Sequence, residues 1–456
     1  MIKAIHSKGN FIDTCRLAGE TKDDEVFPAQ HNTVRLARDR WLVAFNTRGF
    51  RGNDDHRSVV YQVRGDTPDG PVLSEGFLEG PSMEWDAVGD GRKFMRLCTH
   101  PVVFGVPADA VLNGVTPAHA GTFAAVWARF PRVYDVARDY LLHDAEADVP
   151  DGGYRCAWVQ FRLNAARNDI DIAAPVAVLH EKSYSGDRPF CKHEDLTLMN
   201  CGYVNPLPAN ECGSNWVFLM HWNRGNIDAR GCCSAVRFAW NGRTRLYEWV
   251  ETGPLLDGPG DKGIFEGGIA RYESDWLIAA RIVPRGSAGN VWFRVNDLFG
   301  EVAEPYLSEE IRSHAPRTVF RFPDGVVRVL TTDQAASPYA RRGKPGVRMP
   351  LHLMDINPDD RFRVTCSRVV FDSFAEGLPL RFASGPCAHF CQLVCHAGGA
   401  VSTLTYSVRP KALRKHPVSY TGEYKGLVNE AEIAASGVYQ STVLYDEAYP
   451  SVWNFE

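Results

Sequence analysis

The sequence lacks a basic excess. Its 456 residues carry 50 Lys and Arg against 55 Asp and Glu, a formal net charge of −5. A chain built to neutralise a phosphate backbone needs the opposite balance, so a dedicated nucleic-acid binder is not expected. Long apolar runs are missing too. No stretch approaches the roughly 20 apolar residues of a membrane-spanning helix, and the opening MIKAIHSKGNFIDTC has no apolar segment of signal-peptide length. The expected compartment is the cytoplasm, with no membrane partner. Helical periodicity is scarce, EAEIAA at 430–435 being the best short exception. The 12 cysteines include no C-x-x-C module and are thinly spread, with Cys232 adjacent to Cys233. That usage predicts mostly buried free thiols rather than a disulfide framework.

Apolar residues and turn formers are plentiful. Hydrophobic residues make up 45%, with 40 Gly, 28 Pro and 11 Trp, enough for a large core interrupted by many turns. Strand-length apolar or alternating runs recur: RWLVAF (40–45), SVVYQVR (58–64), TFAAVWARF (122–130), YRCAWVQFRL (154–163) and NWVFLMHW (215–222). They continue with DWLIAARI (275–282), VWFRV (291–295), VVRVLTTD (326–333), MPLHLMDI (349–356) and VSTLTYSV (401–408). Bounded by Gly, Pro, Asn or Asp, they read as antiparallel strands joined by turns. A larger unit also returns, as HNTVRLARDRWLVAFNTRGF, FEGGIARYESDWLIAARIVPRG and APRTVFRFPDGVVRVLTTDQ, and more weakly as HFCQLVCHAGGAVSTLTYSV. Imperfect repeats of about four strands are the signature of propeller blades. The expectation is all-β: one six-bladed β-propeller over residues 1–456, its chain ends paired to close the ring. Seven blades are also compatible, because 65–200 resists division.

The order of these segments resembles the sialidase superfamily. That family opens with an Arg-Ile-Pro strand, a turn, a leucine-alanine-phenylalanine-like strand followed by an arginine, and an Asp-bearing loop. HNTVRLARDRWLVAFNTRGFRGNDDHRSVVYQVRGDTPDG follows that order, placing Arg48 near the post-strand arginine and Asp54 or Asp55 in the acid/base loop. FEGGIARYESDWLIAARIVPRGSAGNVWFRVNDLFGE resembles the segment in which a glutamate precedes one strand and an arginine ends the next, matching Glu266 and Arg281. PYARRGKPGVRMPLHLMDINPDD resembles the blade with an arginine just before a strand, pointing to Arg348. Two departures argue against a true sialidase. His31 or Asn32 stands where the family has its first carboxylate-binding arginine, and the Asp-box repeat is nowhere intact, VNDLFGE being its nearest trace. In PCAHFCQLVCHAGG, His389 falls where the nucleophilic tyrosine would be.

The resemblance implies a carbohydrate-active site. Arginines present paired donors that fit a carboxylate, so Arg48, Arg281 and Arg348 are expected against an acidic substrate; a strand-end arginine in a structural ion pair is the plainer alternative. Glycosidic cleavage commonly uses two acidic groups, with sialidases replacing one by a glutamate-activated tyrosine. Asp55 is the candidate proton donor and Glu266 its helper, although NDDH also reads as an ordinary solvated turn. His31, His56, His221 and His389 all fall near strand ends, where imidazole could act as acid or base. His31 and His389 are the catalytic candidates; propeller polysaccharide lyases are similar in using His, Arg and Tyr on a uronate. Trp222, Asn223 and Arg224 in MHWNRGNIDARG, with His221, are candidate sugar-binding residues, though a tryptophan packed between blades would look the same. Cys387, His389, Cys391, Cys395 and His396 include zinc-type ligands but match no metal module, and no metal or cofactor is called for. Three readings follow. They are a glycoside hydrolase of acidic or polar oligosaccharides, a uronate lyase, and a non-catalytic propeller that binds a glycan or a protein.

Overall fold

A computed structural model describes residues 1–12, 28–48, 56–80, 92–135, 140–141, 155–179, 197–200, 206–223, 231–260, 262–283, 289–300, 304–313, 315–333, 337–338, 348–378, 386–395, 399–410, 435, 437–449 and 454–455. Every regular element among them is a strand. The first, β1 (Ile2–Ile12), belongs to the sheet of the last blade. Blade 1 is β2 (Pro28–Ala37), β3 (Arg40–Arg48), β4 (His56–Gly65) and β5 (Val72–Glu79). Blade 2 is β6 (Arg92–Gly105), β8 (Thr122–Asp135), the short β9 (Tyr140–Leu141), β10 (Arg155–Leu163) and β11 (Ile170–Leu179), with the short β7 (Ala110–Val111) in the β6–β8 connection outside this sheet. Blade 3 is β12 (Thr197–Asn200), a short β13 (Leu207–Pro208), β14 (Asn215–Asn223), β15 (Gly231–Asn241) and β16 (Leu246–Thr252). Blade 4 is β17 (Gly263–Tyr272), β18 (Asp275–Val283), β19 (Asn290–Val295) and β20 (Tyr306–Ser308). Blade 5 is β21 (Thr318–Arg321), β22 (Val327–Thr331), β23 (Leu351–Asn357) and β24 (Arg363–Phe371).

Blade 6 has three strands of its own, β25 (Pro386–Cys395), β26 (Val401–Pro410) and β27 (Gly437–Tyr445). Its outer strand is β1, antiparallel to β27 with Ile5 opposite Val443. A last short strand, β28 (Asn454–Phe455), pairs with β7. Blades 1 and 2 share one continuous sheet because His56 of β4 pairs with Cys98 of β6. The blades number six, not seven. The division was obscured in 65–200 because β6 and β8 each run to 14 residues, well past an ordinary blade strand.

The period-2 rule of strands explains how blades stack. Alternate side chains of one strand point to opposite faces, and here each face meets a different neighbouring blade. In β3, Leu42 and Ala44 join a cluster with Phe123 and Phe161 of blade 2, while Val43 and Phe45 join Ile12 and Val438 of blade 6. In β18, Ile278, Ala280 and Ile282 pack toward blade 3, and Leu277 and Ala279 toward blade 5. In β23, Leu351 and Leu353 face blade 6, and Met354 and Ile356 face blade 4. Middle strands are therefore buried on both faces, as in β22, where all five residues are covered, Arg328 and Thr331 included. The outer strand β24 is half covered and alternates, with Arg363, Thr365, Ser367 and Val369 exposed. Cys156 and Cys233 are free thiols in this core.

The first strands are neighbours around the ring: β2 packs beside β6 and β25, and β21 beside β17 and β25. Because strands alternate in direction, one end of the propeller collects the starts of first and third strands and the ends of second and fourth strands. The buried polar residues His31, Asn46, Ser58, His221, Glu266, Arg281, Asn290, Arg317 and Thr331 all fall at that end.

Candidate functional site

Blade 4 supplies the core of the site. The segment Phe265-Glu266-Gly267-Gly268 interrupts the β17–β18 ladder: Phe265 pairs with Arg281, but the next pair is Gly268 with Ala279. The extra residue is a β-bulge, which re-aims a side chain. Glu266 sits at its apex with a left-handed φ of 51°, a conformation that non-glycine residues adopt only where the surroundings hold them. The glycines after it are required by close approach. A Cβ on Gly268 would lie 2.9 Å from the backbone nitrogen of Val319 in β21, and one on Gly267 would lie 2.9 Å from the Ala279 carbonyl oxygen. FEGG is thus the sequence of a strand that must both bulge and press against its neighbours.

Across this end, Phe265, Arg281, Asn290 and Ser308 stand in register on four successive strands. Arg281 Nε lies 2.5 Å from Glu266 Oε2, and both side chains are 8% exposed. The Arg281 guanidinium also rests over the Phe265 ring at 5.5 Å. His221 packs edge-on against the same ring, with centroids 5.0 Å apart. His221 is wholly buried near the end of β14, and its Nδ1 accepts a hydrogen bond from the Glu266 backbone N–H at 3.1 Å. Burial first, and the Arg281 charge second, hold this imidazole neutral, with its pKa pushed down to about 3.

A third charged group belongs here that sequence reasoning passed over. Arg317, just before β21, is fully buried; its Nη2 donates to the carbonyl oxygens of Ser313 (2.7 Å) and Gly289 (3.1 Å). Its Nε and Nη1 have no hydrogen-bond partner among the described residues. Burial, then the neighbouring Arg281 charge, lower its pKa to about 9 against the opposing pull of Glu266 and Asp333. The signal was present in the repeats: His31 and Glu266 each stand three residues before an apolar strand position (Val34, Ile269), and Arg317 stands two before Val319.

The other expected residues fare differently. His31 is buried on β2, with its Nδ1 2.9 Å from Ser407 Oγ and its Nε2 3.0 Å from Thr405 Oγ1. Burial pushes its pKa down to about 3. Both nitrogens are therefore spent on tying blade 1 to blade 6. His221, expected against a sugar, is fully buried and bonded to the Glu266 backbone. Arg348 is half-buried three residues before β23. Arg48 ends β3 opposite His56, and His389 lies on β25 opposite Ser407, but their side chains, like that of Trp222, are outside the described residues. So are Asp54, Asp55, Arg224, His396 and most of EAEIAA. Among the described residues, no group of three or more His, Cys, Asp or Glu side chains could hold a metal ion. Among the described residues there is no helix long and apolar enough to cross a membrane.

Comparison with solved structures is decisive for architecture. A Trypanosoma rangeli sialidase bound to 2,3-difluorosialic acid superposes with a TM-score of 0.52 at 8% identity, covering 94% of this chain and 58% of that one. The fold is that of the sialidase propellers. A Streptococcus pneumoniae NanB sialidase is similar over 98% of this chain and 70% of its own, with a TM-score of 0.51 and 9% identity. A Dyadobacter fermentans protein of unknown function matches over 97% of this chain and 100% of its own, at 0.53 and 9%. Neither a protein-family model nor a curated protein sequence matches the chain. At these identities the sialidase fold is shared and the chemistry must be argued from the side chains.

Proposed function

We propose that this protein is a glycan-processing enzyme, a glycoside hydrolase acting on an acidic or otherwise polar oligosaccharide in the cytoplasm. The observation that carries the reading is the buried Glu266–Arg281 pair on the bulge of β17, with the guanidinium of Arg317 close by. A carboxylate set beside guanidinium groups in a buried site is suited to act on charge that develops during bond cleavage. In this reading Glu266 assists the reacting group and Asp55 donates the proton to the leaving oxygen. Arg48, Arg281 and Arg348 hold the acidic group of the substrate, with Trp222 and Arg224 beneath a sugar ring. A lyase that uses His31 as its base draws less support, because both ring nitrogens already have partners at hydrogen-bond distance.

The test is incubation of the purified protein and Glu266→Gln with a panel of acidic and neutral oligosaccharides, reading reducing ends and ultraviolet absorbance together. Reducing ends alone, abolished in the variant, support hydrolysis. Both signals rising together replace it with elimination. Silence across the panel with retained glycan binding leaves a non-catalytic propeller.

A further inference from the structure

We propose that His221 is the positioning residue of this site, holding Glu266 in its left-handed bulge by accepting that residue's backbone N–H on Nδ1. The inference rests on the hydrolase reading for its catalytic meaning, but its structural content stands on contacts alone. A bulge leaves a backbone donor without its ladder partner, and a buried donor without an acceptor is strongly disfavoured. In β17 the ladder is broken between Phe265 and Gly268, and the Glu266 N–H that falls in the gap is received by His221 from the neighbouring blade, 3.1 Å away. The same imidazole packs edge-on against Phe265, whose ring carries the Arg281 guanidinium. One side chain of β14 therefore supports both halves of the Glu266–Arg281 pair, through the backbone of one and the aromatic seat of the other.

This arrangement fixes the tautomer. An imidazole that accepts on Nδ1 carries its proton on Nε2, and Nε2 is buried without a hydrogen-bond partner among the described residues. Full burial next to the Arg281 guanidinium favours the same neutral form. His221 thus differs from a histidine that exchanges protons with substrate: its work is to keep a lone pair on Nδ1 available. Asparagine places an oxygen near the Nδ1 position and retains the acceptor, whereas leucine fills the space without one.

The experiment uses the full-length protein, 15N-labelled at histidine and glutamate, with His221→Asn and His221→Leu alongside. At neutral pH the His221 nitrogens should report an Nε2-protonated neutral ring. The Glu266 amide should exchange with solvent about tenfold faster in His221→Leu than in wild type, the worth of one hydrogen bond, and His221→Asn should restore it. On an acidic oligosaccharide that the wild type cleaves, kcat should fall about 100-fold in His221→Leu with KM little changed, the signature of a displaced reacting group, and recover in His221→Asn. A ring protonated on Nδ1, a cationic ring, or equal Glu266 exchange in all three proteins would overturn the proposal. If His221→Leu fails to fold, the wild-type tautomer and His221→Asn still decide it. A wild type that cleaves nothing yet shows the neutral ring and the protected amide would remove the hydrolase reading and leave the hold of His221 on Glu266 intact.

Discussion

Replacing Arg281 by methionine tests whether the Glu266–Arg281 pair is a coupled unit. Both side chains are 8% exposed and their nearest atoms are 2.5 Å apart. Removing one member of such a pair strands a buried charge, which costs about 3–5 kcal/mol. Arg317 remains as a second source of positive potential for Glu266, so the low end, about 3 kcal/mol, is expected for Arg281→Met. Glu266→Gln should cost about as much, because it leaves two buried, mutually repelling guanidinium groups without their carboxylate. The double variant strands no carboxylate and relieves that repulsion, so its loss should resemble one single change rather than the sum. The resulting coupling is about 3 kcal/mol, at the top of the range for directly interacting residues. Urea unfolding followed by tryptophan fluorescence, with 11 tryptophans as reporters, measures all four corners of the cycle. A double variant whose loss equals the sum of the singles to within about 0.5 kcal/mol would show that the two groups do not sense one another, and the proposed site would lose its centre.

Acid should weaken the fold through its buried histidines. His31 and His221 are held down to about 3 in the folded protein against 6.5 when free, so the unfolded chain binds the extra protons. Stability is unaffected by them above pH 6.5 and is lost as pH falls from 6.5 toward 3, by up to about 1.4 kcal/mol per pH unit for each histidine. The slope of the urea midpoint against pH should shrink in His31→Gln, and an unchanged slope would refute the assignment. Gly268→Ala should cost about 1–3 kcal/mol, since its Cβ would meet the Val319 nitrogen at 2.9 Å; thermal unfolding indistinguishable from wild type would contradict that packing. Val369→Lys, on the outward face of β24 and 53% exposed, should stay within about 0.5 kcal/mol in the same assay.

Legibility in the sequence followed burial. Middle blade strands are apolar on both faces, so RWLVAF, NWVFLMHW and DWLIAARI could be recognised as β3, β14 and β18 without ambiguity. Outer strands give a weaker signal. RVTCSRVVF (β24) mixes Arg, Thr and Ser with Val because one face meets water, and IDIAAPVAVL (β11) contains a proline that an edge position tolerates. Within the site, Glu266 and Arg281 were accessible because each stands at a strand end in a repeated pattern. The role of His221 was not, since it depends on an acceptor reaching a backbone N–H in the next blade. Arg317 was hidden for a related reason: an arginine beside a strand usually reads as surface, and only the stacking of blades 4 and 5 reveals that this one is enclosed.

The pairing of β1 with β27 sets a timetable for the molecule's birth. β1 is synthesised ahead of five whole blades, and its sheet partner among the described residues, β27, comes after them; at about 5–20 residues per second that partner follows on the order of a minute later. Throughout that interval β1 presents an unpaired edge, the kind of surface that invites pairing with another chain. Its run SKGN, which places a lysine and a glycine of left-handed φ in mid-strand, is suited to keeping that waiting edge from finding the wrong companion.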